Sequence, residues 1–190
     1  MKKIIFIFIL ILLIAGIIVT IKMTGNTIKN SESNKVKLET TAGDIVIELY
    51  PSKAPITVAN FKKYVKEGFY DNTIFHRIIA GFMVQGGGID ASGEEKETYA
   101  PIKLESKNGL SNKKGTVAMA RTNVPDSATA QFFINVADNT FLDYGTRDDG
   151  YAVFGKVIQG YDIVEKMSKV KTNSNDEPLS QIKIVKASFI

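Results

Sequence analysis

The sequence contains no cysteine and only one histidine, His76. Without a thiol, the chain has no disulfide scaffold, no thiol nucleophile, no thiolate metal site and no cysteine to carry a lipid. A lone histidine also argues against a histidine-rich metal site, and no Ser/His/Asp arrangement surrounds it in the sequence. The glycine run 86–88 lacks the Lys and Ser/Thr of a phosphate-binding loop, so it is interpreted as a turn. We therefore expect neither a metal nor a cofactor.

Excess charge of one sign is also missing from most of the chain. The formal net charge is +4, which on its own would suggest an anionic partner. The excess lies before residue 36, where five lysines face one glutamate; the rest of the chain carries 19 basic and 19 acidic residues. Because the body of the chain is neutral, it lacks the basic balance of a nucleic-acid-binding domain. We expect no nucleic-acid partner.

The N-terminal region carries a long uncharged run at residues 4–21, preceded by Lys2 and Lys3. As a helix, this run would rise about 27 Å at about 1.5 Å per residue, close to the hydrocarbon thickness of about 30 Å. It is longer than the apolar region of most signal peptides, and no A-x-A-like cleavage site follows it. The pattern predicts a membrane signal-anchor over residues 1–23 and a flexible tether over residues 24–35.

The short N-terminal tail favours an orientation with the N-terminus inside and the following domain outside the cytoplasm. A cleaved signal peptide is the alternative to a retained anchor, and it would make the protein a secreted one. The sequence predicts no partner subunit, and a monomer is expected.

Residues 36–190 are predicted to form one domain of short strands and two helices. Val36, Leu38 and Thr40 alternate with charged residues, and the turn at 42–44 then predicts a β-hairpin. Pro55 stands at a suitable first helical position, and Gly68 is a natural helix stop. Further β-like runs occupy 74–79, 82–85, 115–120, 131–136, 152–158 and 181–189, with a short helix near 161–168. Many short strands without βαβ alternation predict an antiparallel sheet closed into a barrel.

The segment FHRIIAGFMVQGG, residues 75–87, is the first that suggests chemistry. In a strand, alternate side chains share a face, so Phe75, Arg77 and Ile79 are expected opposite His76. An arginine near Phe82, Met83 and Gln85 predicts an apolar recess with one cationic donor and one amide. Spacing alone favours the alternative, an ordinary arginine at a barrel end above a core of phenylalanine and methionine.

Three later segments are rich in aromatics and poor in charge: GTVAMARTNVPDSATAQFFINV (115–136), TFLDYG (140–145) and YAVFGKV (151–157). Together with FHR…GFM-x-QGG, in this order and at these separations, they resemble cyclophilins, especially the compact prokaryotic ones. The resemblance spans about residues 36–190. It implies a mainly β fold, a closed eight-stranded antiparallel β-barrel capped by two α-helices, and peptidyl-prolyl cis-trans isomerase activity on proline-containing polypeptides.

The resemblance also implies roles for individual positions. Arg77 matches the catalytic arginine, and Ala120 and Arg121 match residues that pair with the substrate backbone. The remaining positions match the walls of a proline pocket and its polar contacts: Phe82, Met83, Gln85, Gln131, Phe133 and Leu142.

Two positions depart from many eukaryotic members of the family. Phe141 stands where they have tryptophan, and this change implies weakened cyclosporin binding with activity retained. Tyr151 stands where they have histidine, and it is expected to remain a pocket wall with a hydroxyl donor.

Two other functions remain open at this stage. A barrel of the same fold could hold proline-containing segments as a chaperone or docking module with little turnover, or it could be structural or adhesive. For His76, expected on the opposite face from Arg77, the resemblance implies a structural, buried position rather than a role in proton transfer.

Overall fold

The computed structural model describes residues 33–190. This region contains eight strands, β1 to β8 in chain order: Lys35–Thr40, Gly43–Leu49, Arg77–Ile79, Met83–Gly86, Thr116–Met119, Phe132–Asn135, Val153–Gln159 and Ile184–Phe189. It also contains two α-helices, α1 at Pro55–Lys66 and α2 at Tyr161–Met167, and a short 3₁₀ helix at Thr140–Leu142. The prediction of a mainly β domain with two helices is confirmed.

The eight strands form one antiparallel sheet in the order β3-β4-β6-β5-β7-β2-β1-β8. The predicted closed barrel was wrong, because the sheet is an open, curled half-barrel with β3 and β8 at its edges. Residues 74–76, expected in the strand over 74–79, lie outside β3, and this segment faces the start of β8. Phe75 N donates to Ile182 O, and Ile184 N donates to Thr73 O. These bonds accompany a single bridge, Ile74 to Lys183, rather than a continuous ladder.

The first hairpin and α1 follow their sequence signals. β1 and β2 pair in register from Lys35–Glu48 to Thr40–Gly43, so the strand begins at the last residue of the expected tether. Helix α1 has Pro55 at its first position, where the missing N–H costs no helical hydrogen bond. The chain leaves the helix through Gly68 at φ +66°, a conformation that glycine adopts without steric cost.

Side-chain alternation along the central strands separates two apolar clusters. In β6, Phe132 and Ile134 enter the main core, whereas Phe133 belongs to a second cluster. In β7, Phe154 belongs to the main core and Val153 to the second cluster. Successive side chains of a strand point to opposite faces, so the second cluster lies on the face of the sheet away from the main core. Its buried members are Met83, Ala118, Phe133, Leu142 and Val153.

The predicted anchor over residues 1–23 and most of the predicted tether lie outside the described residues. Within residues 33–190, neither helix has the length and hydrophobicity needed to span a membrane.

Candidate functional site

Strand register places the predicted site in one row across the sheet. Arg77 is paired with Gln85, Gln85 with Phe133, Phe133 with Ala118, and Ala118 with Val153. Directly opposed residues of antiparallel strands share a face. The fold therefore brings an arginine and an amide from residues 75–87 beside an aromatic ring that lies nearly fifty residues later in the chain.

A cleft of about 370 Å³ opens above this row. Its apolar floor is formed by Met83, Phe133 and Leu142, each at most 4% exposed. The cleft is lined by ten of the eleven predicted site residues together with Arg147: Arg77, Phe82, Met83, Gln85, Ala120, Arg121, Phe133, Phe141, Leu142 and Tyr151. An apolar floor with a few polar groups at its edge is typical of a small-ligand site.

Arg77 lies at one end of the cleft with its side chain 43% exposed. Its Nη1 donates to Gln85 Oε1 at 3.4 Å, and its Nε lies 3.6 Å from Asp176 Oδ2. The guanidinium is thus held by two side chains that approach different nitrogens.

Gln131 lies next to the main cleft rather than on its lining. It borders an adjoining recess shared with Gln85, Ala120 and Arg121. Gln85 Nε2 donates to Gln131 Oε1 at 2.8 Å. Through this bond Gln131 orients the Gln85 amide, whose oxygen then faces Arg77.

The glycine run 86–88 also leaves space for neighbouring side chains. Gly86 is the last residue of β4, and a Cβ there would lie 2.8 Å from Phe75 Cδ1. A Cβ at Gly88 would collide with Gln131 Cγ. Only glycine leaves room at these positions for the Gln131 side chain and for the buried Phe75 ring.

Arg121 is buried in the wall of the cleft, with its side chain only 5% exposed. It donates to the backbone oxygens of Gly150 and Thr122 and to Asp148 Oδ1, each at 2.9 Å. Its guanidinium carbon lies 4.7 Å from the Tyr151 ring centroid. Because the Arg121 guanidinium makes three hydrogen bonds inside the protein, it is held in place against the Tyr151 ring. The backbone N–H of Ala120 is also engaged, because it donates to Gln131 O at 2.9 Å.

The rim of the cleft is aromatic and cationic. Phe141 is 43% exposed and stacks on Phe82 with ring centroids 5.7 Å apart. Arg147, which sequence reasoning missed, lies 5.9 Å from the Phe141 ring and pairs with Asp148 at 3.1 Å. The expectation that Arg77 would be the only charge in the pocket was therefore wrong. Among the described residues, those lining the cleft include three arginines and no acid.

Buried amides hold the two loops that frame the floor, and no sequence motif marks them. Asn139 Nδ2 donates to Phe82 O at 2.8 Å and to Asn135 Oδ1 at 2.7 Å. Asn112 Nδ2 donates to Leu142 O at 3.2 Å, and Asn135 Nδ2 donates to Asn112 Oδ1 at 3.3 Å. Buried polar groups are stable only when hydrogen-bonded, so this chain of amides fixes the backbones of Phe82 and Leu142 relative to each other.

Phe75 and His76 both lie away from the cleft. Phe75 was expected beside Arg77, but it is fully buried in the main core, with its ring centroid 6.2 Å from that of Phe132. Regular alternation begins only at Arg77, where β3 starts. His76 borders a different pocket, and burial lowers its pKa, although hydrogen bonds that the imidazole donates to the Ile74 backbone and the Gln131 side chain act in the opposite direction. Within residues 33–190, no cluster of His, Asp and Glu could hold a metal ion.

Comparison with known proteins extends over nearly all of this domain. Residues 35–189 match the model of the cyclophilin type peptidyl-prolyl cis-trans isomerase/CLD family. A peptidyl-prolyl cis-trans isomerase of Acinetobacter baylyi is 49% identical over 92% of this chain and 91% of its own length. Peptidyl-prolyl cis-trans isomerase A of Dickeya dadantii is 56% identical over 75% of each chain.

Among solved structures, a cyclophilin type peptidyl-prolyl cis-trans isomerase of Cryptosporidium parvum, crystallised in the presence of the dipeptide Ala-Pro, superposes with a TM-score of 0.70. It is 27% identical, and the match covers 82% of this chain and 98% of that one. The fold, the extent of the family match and the close relatives agree, and the chain belongs to the cyclophilin-type peptidyl-prolyl cis-trans isomerases.

Proposed function

We propose that the cleft above β4, β5 and β6 is where this isomerase rotates the X-Pro bond, with Arg77 as its catalytic residue. The observation that carries this proposal is the cross-strand row, which pairs Arg77 with Gln85 and Gln85 with Phe133 on the lining of one cleft. Ala120, together with the Arg121 backbone, is proposed to contact the substrate chain on either side of the proline.

The reaction needs no nucleophile. Resonance makes rotation about an amide cost about 18–20 kcal/mol, whereas the cis and trans X-Pro forms differ by only about 0.5–1 kcal/mol. A catalyst must therefore favour the twisted state, in which the proline nitrogen regains its lone pair. A guanidinium N–H near that nitrogen can donate to it only when resonance is lost, so Arg77 would stabilise the transition state more than the ground state.

The apolar floor supplies the complementary half of this mechanism. Met83, Phe133 and Leu142 would enclose the proline ring, and Phe82 and Tyr151 would flank it. The pocket would hold the proline ring, and Gln85 would contact the substrate residue next to it. The carbonyl before the proline would then remain free to rotate. Because the floor side chains pack together in the second apolar cluster, the pocket needs little reorganisation during the reaction.

The test is a protease-coupled isomerisation assay on a proline tetrapeptide, using the full-length protein in detergent. Arg77→Ala, shown to be folded by circular dichroism, is expected to lose about 100-fold or more in kcat/KM, the usual cost of one transition-state donor. Lys156→Ala, which removes an exposed cation from β7, should leave the rate unchanged. Wild-type activity in Arg77→Ala would refute the proposed role.

We also propose that the domain is anchored in the membrane through residues 1–23 and lies outside the cytoplasm. The uncharged run at 4–21, preceded by two lysines, supports this location. In fractionated cells the protein should sediment with membranes after a high-salt wash, and it should be cleaved by protease added to cells with an intact cytoplasmic membrane. Recovery in the medium would indicate a cleaved signal peptide, and protection would reverse the proposed orientation.

We further propose that the isolated protein is a monomer that binds cyclosporin weakly. The rim residue Phe141 has no indole N–H to donate, which supports the weak affinity. Phe141→Trp is expected to tighten cyclosporin binding in a titration while isomerase activity is retained. Light scattering of the detergent-solubilised protein tests the oligomeric state.

A further inference from the structure

We propose that Asp176 is a positioning residue for Arg77, holding its guanidinium in the orientation that the reaction requires. This inference rests on the proposed role of Arg77. Asp176 Oδ2 lies 3.6 Å from Arg77 Nε, and both side chains are a little over two-fifths exposed. Asp176 is not part of the cleft lining. Its carboxylate therefore approaches the arginine from behind, at the nitrogen nearest the aliphatic stem.

The two partners of Arg77 contact different nitrogens of its guanidinium. Asp176 lies at Nε, and Gln85 Oε1 accepts from Nη1 at 3.4 Å. An arginine side chain has many rotamers, and two contacts on different nitrogens fix the plane that one contact would leave free to turn. The remaining N–H groups are then available to the cleft in a preset direction, which is what electrostatic preorganisation requires.

The loop that carries Asp176 is built to place it there. Asp176 adopts φ +63°, a left-handed conformation uncommon for residues other than glycine, asparagine and aspartate. Its backbone oxygen accepts from Ile78 N at 2.8 Å, so the same residue also holds the backbone next to Arg77. Asn173 orders the turn, because its Oδ1 accepts from the backbone N–H groups of Asn175 and Glu177 at 2.9 and 3.0 Å.

The backbone conformation determines which substitutions test this idea. Alanine at position 176 would add backbone strain, whereas Asp176→Gly removes the carboxylate and accepts the positive φ. Asp176→Asn tolerates the same conformation and keeps an oxygen acceptor without the charge. Glu177→Gln is the matched control, since Glu177 lies in the same turn and accepts from Asn173 Nδ2 at 2.7 Å.

Steady-state kinetics of the full-length protein should show a split between kcat and KM. Asp176→Gly is expected to lower kcat about tenfold, within the loss of up to about 100-fold that a small misplacement of a catalytic group causes. KM should stay within about twofold of wild type. Asp176→Asn should recover part of the rate, and Glu177→Gln should match wild type. Unchanged kcat in Asp176→Gly, or an equal loss in Glu177→Gln, would overturn the proposal.

A double-mutant cycle separates this inference from the role of Arg77 itself. If Asp176 acts through Arg77, then Asp176→Gly should have no further effect on activity in an Arg77→Ala background. The same tenfold loss in both backgrounds would mean that Asp176 acts on the fold or on another residue, and would overturn the inference alone. Loss of activity in Arg77→Ala without any loss in Asp176→Gly would likewise leave the proposed function standing and refute the positioning role.

Discussion

Arg77 and His76 are consecutive residues that border two different concavities of similar size. The Arg77 cleft has a volume of about 370 Å³, and the pocket beside His76 has about 280 Å³. Both have apolar walls, so neither volume nor hydrophobicity distinguishes them. The difference lies in the charged groups. The cleft has three guanidiniums on its lining, whereas the other pocket has one imidazole and the Glu177 carboxylate.

The surroundings that hold Arg77 and His76 in place differ as well. Arg77 is held by Gln85 and Asp176, and Gln85 is held in turn by Gln131. His76 has its pKa lowered by burial, which favours the neutral form and suits a residue of the framework. The comparison shows that the candidate site is identified by an oriented cation above an apolar floor, and not by the presence of a pocket.

The largest expected difference between the two faces of the sheet involves Phe133 and Phe132. Each is to be replaced by leucine, a change that keeps the side chain apolar and lowers stability by about 1–3 kcal/mol at either position. Because only Phe133 faces the cleft, Phe133→Leu should raise KM several-fold, and Phe132→Leu should leave the kinetics of the folded protein near wild type. Chemical denaturation and steady-state kinetics on both variants provide the measurement. Equal kinetic effects would show that the two faces are not functionally distinct.

A smaller effect is expected from the buried amides behind the floor. Asn139→Leu removes one of the two donors to the backbone oxygen of Phe82, which keeps the bond from Val136 N. It also removes the donor to the buried Asn135 Oδ1, at a cost of about 1–3 kcal/mol in stability. Because Phe82 would then be less firmly placed, we expect KM to rise about threefold while kcat is largely retained. Asn108→Ala, which removes a bond to the Val153 backbone on the same face, is the control. A fall in kcat with unchanged KM would contradict the role given to Asn139.

The smallest effect is expected at His76, and it concerns stability rather than rate. Burial lowers the pKa of His76 in the folded state, so the unfolded chain takes up the proton first as the pH falls. The free energy of unfolding should therefore decrease as the pH drops below about 6.5, until the folded-state pKa is reached. In His76→Gln this part of the decrease should be absent, with isomerase activity at pH 7.5 preserved. Denaturation curves at pH 7.5 and 5.5 test it, and identical pH dependence in both proteins would refute it.

Local signals predicted most of the framework. Pro55 marked the start of α1, Gly68 its exit, and the alternation after Val36 the first hairpin, because each of these depends on residues close in sequence. The edge of the sheet was less predictable. The pairing of residues 73–75 with the chain before β8 is a contact across more than a hundred residues, and it shortened β3 at a position that no local pattern marks.

The candidate site also contains both residues that were predicted from the sequence and residues that were not. Arg77, Met83, Gln85 and Phe133 lie on strands, and strand register brings these four to the lining of one cleft. Arg147, Asp176 and Asn139 lie outside the positions that the matched motifs mark. Asp176 contacts Arg77, and Asn139 contacts Phe82, so both contacts join segments far apart in the sequence. An acidic residue in a polar turn, such as Asp176, is indistinguishable in sequence from an ordinary solvated loop residue.

The most direct test of the central claim separates binding from turnover at Arg77. Exchange NMR on a proline peptide, with wild type, Arg77→Ala and Arg77→Lys in turn, yields the catalysed cis-trans rate and the dissociation constant from the same samples. The account predicts that Arg77→Ala slows exchange about 100-fold or more while the dissociation constant changes about threefold or less. Arg77→Lys, which keeps the charge but loses the planar fork, should lie between them. A folded Arg77→Ala that exchanges the peptide at the wild-type rate would contradict the account.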